Sequence, residues 1–263
     1  RIAQLETRLG LRLLNRSTRQ VNLTAAGQIY LDYCRRVRAD SRAALQAMSD
    51  LKEQPEGTLR ITCAEVTATH FMPRFLADFT RAHPGIGFEI LATNRHLDLI
   101  RDQVDFAFRV GEVTGQELVQ LRLSAISRGL VAAPALIGST DLADPTDLMN
   151  APCLVHDAQP EWTFLRDGVS RRVRPTANLR SDSMGLLLNA AVLGAGIALL
   201  PSYICRPLIV TGQLKVVLPE WRIPPSQLSL VMPNITNRSA AQVAFHRYAR
   251  DFDYSVMSEG QSP

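Results

Sequence analysis

The sequence of 263 residues is short of cysteine, short of aromatics and free of long apolar runs. Cys34, Cys63, Cys153 and Cys205 stand far apart with no C-x-x-C, and His70, His83, His96, His156 and His246 do not complete a ligand set. A zinc site needs four ligands at close spacing, so no metal is expected. The thiols read as reduced, as in a cytoplasmic protein. A Cys153–Cys205 redox pair is disfavoured, because reactive thiols need an exposed, electropositive setting. No run of ~18 apolar residues occurs, so no membrane span is expected. The richest segment, Met184 to Leu200, is broken by Asn189, Gly194 and Gly196. No signal peptide is visible, and a chain that starts with Arg1 inside a motif is expected to have its native N-terminus further upstream.

Enzyme signatures are missing as well. The sequence has no G-x-S-x-G, no H-E-x-x-H and no Walker A. Gly194-Ala195-Gly196 supplies two glycines of a dinucleotide fingerprint, but Leu199 takes the sixth position and a strand follows. A phosphate would meet no helix N-terminus there, so the segment reads as a helix stop. No catalytic residue and no cofactor are expected; an α/β enzyme would need a catalytic group that cannot be found.

What is present is uneven charge. Residues 1–42 hold nine arginines against Glu6, Asp32 and Asp40, a net +6 that leaves −2 for the rest of a chain of net +4. A basic end on a mildly acidic body points to a polyanion partner at that end. Ile2, Leu5 and Leu9 share one helical stripe, Arg1, Gln4 and Arg8 a neighbouring one, and Gly10 can stop the helix. Short extended runs, Leu13 to Arg16 and Gln20 to Leu23, flank Ser17-Thr18-Arg19. This pattern is a helix followed by a basic-tipped hairpin, the second half of a winged helix-turn-helix. Thr24 then caps a helix to about Leu51, ~42 Å long at 1.5 Å per residue. Its stripe of Tyr30, Tyr33, Val37, Ala44, Ala47 and Leu51 is interrupted by Asp40 and widened by Cys34 and Met48. Such a stripe wants a partner helix, although a lone solvent-bridging helix would read similarly.

Lys52 to Gly57 is a polar breaker, and beyond it strands alternate with helices, which predicts a parallel α/β architecture. Strands are expected at 58–64, 86–92, 104–109, 129–133, 153–156, 162–165, 173–179, 197–200, 215–218 and 227–232. Helices are expected at 67–82, 95–103, 147–150, 184–193 and 239–252. Ser181 should cap a buried helix from Met184 to Leu193, Pro201 should start a short helix, and the tail from Ser255 should be loose.

RIAQLETRLG at the start, RLLNRSTR at Arg12–Arg19 and LTAAG at Leu23–Gly27 closely resemble, in register, the LysR-type transcriptional regulators of bacteria. Leu59 to Pro73, His83-Pro84-Gly85, Val104 to Gly111 and Gly194 to Pro201 look like that family's effector domain, and the similarity covers nearly all of residues 1–252. The resemblance implies a mixed fold. A partial, all-α winged helix-turn-helix head (1–23) and a linker helix with hinge (24–57) precede an α/β two-lobed effector domain (58–254) resembling periplasmic solute-binding proteins. Lobe one would cover about 58–125 and 228–254, and lobe two about 126–227. The implied partners are double-stranded DNA for the full-length protein, a small-molecule effector, and a second copy through residues 24–51, with a homotetramer as the larger assembly. A solute-binding protein of the same fold is the alternative; it would need a secretion signal and no residues 1–51.

By resemblance the DNA-facing residues are Arg1, Gln4, Arg8, Arg16, Thr18 and Arg19. Arg1 matches a base-reading position, since a guanidinium suits bidentate contact with guanine. Arg16 and Arg19 flank the wing tip and would reach phosphate or the minor groove. Arg8 and Arg12 read equally well as solvated. With the base-reading start of the recognition helix absent, this chain alone is expected to show little specific DNA affinity. The effector should sit where strands end and helices begin, which nominates Glu65, Thr67, Asn94, Arg109, Trp162, Asp182 and Ser183. Arg109 would meet a carboxylate and the loop carrying Trp162 would cover the cleft. Glu65 reads either as a helix-capping acid or as a cleft residue that repels simple anions, and Asp182 carries the same ambiguity.

Overall fold

The computed structural model describes residues 1–16, 21–49, 55–113, 117–138, 142–235 and 237–258. Helix α1 (Ile2–Leu9) ends at Gly10, which takes a left-handed φ of 66° and donates its N–H to Thr7 O. Strands β1 (Leu14–Arg16) and β2 (Val21–Leu23) pair antiparallel, with Arg16 opposite Val21. Helix α2 (Ala25–Ser49) follows, and Thr24 Oγ1 caps it by accepting the Gly27 N–H at 2.9 Å. Gly27 is where the wing crosses the helix; a Cβ there would lie 2.0 Å from Leu13 O, so no other residue fits without moving the wing.

Lobe one opens with β3 (Gly57–Cys63), α3 (Glu65–His70), α4 (Met72–Ala82), β4 (Ile86–Ala92), β5 (Phe106–Val110) and β6 (Leu118–Ile126). The chain then builds lobe two from β7 (Arg128–Ala132), α5 (Pro134–Ile137), β8 (Cys153–His156), β9 (Trp162–Arg166), β10 (Val169–Val173), β11 (Ala177–Ser181), α6 (Met184–Val192), β12 (Ile197–Pro201), α7 (Ser202–Val210) and β13 (Lys215–Val216). It returns to lobe one as β14 (Ser226–Pro233), α8 (Ala240–Asp251) and α9 (Ser255–Ser258). The sheets run β4-β3-β5-β14-β6 and β11-β8-β12-β7-β13. Each is mixed rather than purely parallel, because β14 runs against β5 and β6, and β7 against β12 and β13.

The lobes are filled differently. Lobe one packs a continuous set of rings, among them Phe71, Phe75, Phe79, Phe108, Phe245 and Phe252, between its sheet and helices α4 and α8. Lobe two packs Trp162, Trp221 and Phe164 on one side of its sheet and aliphatic residues such as Leu187, Leu200 and Ile204 on the other.

Several local expectations are corrected. The helix expected over 67–82 is two helices, broken at Phe71, because Pro73 lacks an N–H and suits the first turn of α4. Residues 95–103 are not a helix; 96–98 carry no regular structure and 99–103 form a turn. The Asp98 carboxylate takes the N–H groups of Ile100 and Arg101 at 3.1 and 3.0 Å, and Gln103 ends the turn at a φ of 54°. The strand expected over 173–179 is divided between β10 and β11 around Pro175, which has no N–H to give a sheet. Ser183, not Ser181, caps α6, accepting Leu186 N–H at 3.2 Å. That helix is also only half buried, with Leu186 49% exposed and Leu193, just past its end, 85% exposed. The tail is not loose where it is described: α9 buries Met257 completely. Its chain bonds the crossing between lobes, with Ser127 N–H on Met257 O at 2.9 Å and Ser127 Oγ on Ser258 O at 2.6 Å. Strand β6 was not expected, although Val119, Leu121 and Leu123 alternate with Gln120, Arg122 and Ser124 as a half-buried strand requires. The polar hinge at 50–54 lies outside the described residues. Among the described residues no helix is long and apolar enough to cross a membrane.

Candidate functional site

The nominated residues fall in two regions, the head and the two lobes. In the head, Arg1 is the N-cap residue of α1, and Arg1, Gln4 and Arg8 are all exposed. The helix is tied to the wing through Glu6, whose Oε1 accepts the N–H groups of Leu13 and Leu14 at 2.8 and 3.0 Å. Thr24 completes the tie, donating through Oγ1 to Arg12 O at 2.7 Å and through its N–H to Leu13 O at 2.9 Å. These bonds set the direction in which the β1–β2 hairpin leaves the helix. Arg16 is the last paired residue of β1; its side chain, Thr18 and Arg19 lie outside the described residues.

Between the lobes, the end of β3 meets the start of α6. The Glu65 N–H donates to Asn94 Oδ1 at 3.2 Å, and across the gap Ser183 Oγ donates to Glu65 Oε2 at 3.4 Å. Val66, one residue on, is buried in the aliphatic core of lobe two beside Leu187 and Leu188. Thus Glu65, Asn94 and Ser183, chosen from separate parts of the sequence, converge on one spot. Glu65 caps nothing in α3, whose N-cap is Ala64 with no side-chain bond; its carboxylate faces lobe two instead.

The other nominated residues distribute unevenly. Thr67 is 2% exposed and hydrogen-bonded to Tyr203, so it packs the joint rather than offering an open surface. Burial pushes the Tyr203 phenol up to about 12 and outweighs the opposing hydrogen bond from Thr67, which keeps Tyr203 neutral. Arg109, at the end of β5, is half-buried and donates through Nη2 to Leu97 O at 3.4 Å. Burial lowers its guanidinium pKa, opposed by the neighbouring Cys63, while burial holds that thiol up at about 11. Asp182 is exposed, and its backbone O lies 3.0 Å from His156 Nε2. Trp162 does not cover the cleft. At 2% exposure it belongs to the core of lobe two with Val173 and Phe164, because β9 turns its indole inward under the β9–β10 hairpin. Gln103, Leu97 and Tyr203 were overlooked. The apolar spacing puts Gln103 inside a helix over 95–103; the signal in the sequence against that is Asp98, whose carboxylate takes the N–H groups of Ile100 and Arg101.

Among the described residues no group of three or more His, Cys, Asp or Glu side chains is placed to hold a metal ion. Cys153 and Cys205 are buried free thiols, each pushed up to about 12 by burial, and Cys34 is exposed.

Comparison with known proteins places these parts together. The LysR substrate binding domain matches residues 52–253, and the bacterial regulatory helix-turn-helix of the lysR family matches residues 1–28. An HTH-type transcriptional regulator of Xanthomonas campestris pv. campestris is 31% identical over 233 residues, covering 85% of this chain and 67% of that protein. The regulator PtxR of Pseudomonas aeruginosa is 29% identical over 237 residues, covering 89% and 76%. Among solved structures, full-length AphB, a Vibrio cholerae virulence activator, superposes with a TM-score of 0.77 at 22% identity, covering 95% of this chain and 87% of that one. CrgA of Neisseria meningitidis superposes with a TM-score of 0.67 at 23% identity, covering 94% and 85%. At these identities the structural likenesses bear on the fold alone.

Proposed function

The chain belongs to the LysR family of bacterial transcriptional regulators, and from that premise we propose how its parts divide the work. Regulators of this family bind DNA and small-molecule effectors and form oligomers; they are not enzymes. Residues 1–23 carry the DNA-facing surface, with Arg1 on a base edge, Gln4 and Arg8 towards the backbone, and Arg16, Thr18 and Arg19 at the wing. Residues 24–57 join two copies, and residues 58–254 bind the effector, with lobe one at about 58–125 and 228–254 and lobe two between.

The pairing surface on α2 is the line of Ile29, Tyr33 and Val37, which are 61%, 58% and 67% exposed and spaced four apart. Exposed apolar side chains in one helical row are what a partner helix covers. A tetramer would then be built from two such dimers.

The effector reading is carried by one observation, the contact of Ser183 Oγ with Glu65 Oε2 across the two lobes. A ligand that enters there meets an acid from lobe one, a hydroxyl from lobe two and Asn94 beside them, with Arg109 half-buried at the neighbouring strand end. It breaks one long interlobe bond and replaces it with its own donors. Asp182, exposed beside Ser183, adds a second acid at the mouth; Thr67 supports the joint through Tyr203, and Trp162 holds lobe two from within. The effector is therefore a molecule with a donor or cationic group towards Glu65 and an acidic group towards Arg109. The test is a thermal-shift screen of amine-bearing and plain carboxylic acids on the whole chain, since a specific ligand raises stability by mass action. Hits are expected among the former and should be lost in Arg109→Ala and weakened in Glu65→Gln. Hits that keep their full shift in both variants would remove the ligand from this cleft.

A further inference from the structure

The segment between β4 and β5 touches the interlobe cleft at one end and the linker helix at the other. At its start Thr93 N–H donates to Cys63 O at 2.9 Å, and Asn94 Oδ1 accepts the Glu65 N–H. At its middle Leu97 O accepts from Arg109 at 3.4 Å, the longest of these bonds. At its end the Asp102 carbonyl accepts from Arg60 Nη1 at 3.0 Å. Gln103 then holds α2 with both ends of its amide: Oε1 accepts from Arg38 Nε at 2.7 Å, and Nε2 donates to Arg35 O at 2.9 Å.

Gln103 does this from a left-handed backbone at φ 54°. That conformation is costly for a residue with a Cβ and persists only where surroundings over-determine it. The two bonds to α2 and the turn closed by Asp98 supply that determination. Beside the grip lies an open crevice of about 480 Å³, lined by Leu31, Cys34, Arg35 and Arg38 of α2 and by Leu91 and Leu97 of lobe one. Here α2 meets the lobe through a few directed bonds across open space. A contact of that kind can shift without rearranging a packed core.

We propose that residues 93–103 carry the state of the cleft to the linker helix, with Gln103 as the positioning residue that fixes α2 against lobe one. The proposal rests on the effector reading above. A ligand acid group that takes Arg109 withdraws its bond from Leu97 O. Leu97 lines the crevice and precedes the turn that sets Gln103, so the loss is felt where α2 is held. The bonds differ in length: the one a ligand at Arg109 would take is the longest, at 3.4 Å, and the two at the helix end are short, at 2.7 and 2.9 Å. A ligand therefore acts on the weaker end, and its effect on α2 is limited by its differential affinity for the two arrangements. Proximity alone does not establish coupling; a double-variant cycle does.

Hydrogen exchange at residues 31–38 of the whole chain, with no ligand added, reads the grip directly. Arg109→Ala removes the Leu97 contact and is expected to raise exchange at 31–38 about five-fold, the factor carried by roughly one lost hydrogen bond. Gln103→Asn tolerates the left-handed backbone but is one carbon too short to span Arg35 and Arg38, and is expected to give a similar rise. The double variant should exchange no faster than the quicker single variant. Unchanged exchange at 31–38 in Arg109→Ala, or effects that multiply in the double variant, overturns the proposal. Should Arg109→Ala not fold, Asn94→Ala loosens the same segment from the cleft side and is read by the same two outcomes. Because no ligand is involved, a failed effector screen and a failed coupling remain distinguishable.

Discussion

The head and lobe one are held together by different physics. In residues 1–27 one apolar side chain, Leu13, is buried among the described residues, while Ile2, Leu9, Leu11, Val21 and Leu23 are each at least 40% exposed. Glu6, Thr24 and the bare Cα of Gly27 fix the geometry instead, through directed bonds and one close approach. Lobe one is the reverse. Phe75, Phe79 and Phe245 are fully buried, and the Phe245 ring lies 5.6 Å from Phe75 and 5.4 Å from Phe79, centroid to centroid. Directed bonds tolerate few substitutions, so they leave a recognisable string of letters. Ring packing tolerates many, so it leaves only a pattern of burial.

The largest expected effect lies on the packed side. Phe75→Ala should cost about 3–5 kcal/mol, read as a lowered urea midpoint, because it opens a cavity between α4 and α8. A loss below about 1 kcal/mol would show that the ring cluster does not hold the lobe. Next comes Gly27→Ala, which pits a methyl group against Leu13 O and should cost about 1–3 kcal/mol, confined to the head. Amide protection at Leu14 and Thr24 should fall while the lobes unfold at the wild-type midpoint; a shift of that midpoint would tie the two regions more closely than their contacts suggest. The smallest effect is chemical. In native chain at pH 8, iodoacetamide should modify Cys34 and spare Cys63, Cys153 and Cys205, whose thiols burial holds at about 11, 12 and 12 and therefore neutral. Rapid labelling of a second cysteine would mean that one of the cores opens.

This contrast also explains what could be read from the letters. The head was legible in outline because Gly10, Thr24 and Gly27 each do something that few residues can do. The lobes were legible as alternating strands and helices because burial imposes periodicity. Legibility failed where one side chain overrides the local pattern. Where a helix was expected, Asp98 starts a single turn by taking two backbone N–H groups and Gln103 ends it at a φ of 54°, and Pro175 cuts an expected strand in two. For the candidate site, residues at strand ends could be nominated by topology, and Glu65, Asn94 and Ser183 do meet. Trp162 could not be placed correctly, since inward and outward faces of a short hairpin strand look alike until its partner is known.

The short C-terminal helix changes what kind of joint links the lobes. Two strand crossings alone would make a strap hinge, free to bend about a single axis. Ser127, at one crossing, is instead bonded on both sides, by Met257 and Ser258 of α9 and, through its carbonyl, by the Ser202 N–H at 2.8 Å. With Met257 fully buried there, α9 lies along the joint like a splint. Any swing of lobe two has to carry those last residues with it or let go of them, so the stiffness of the hinge is written in a stretch of chain that belongs to neither crossing.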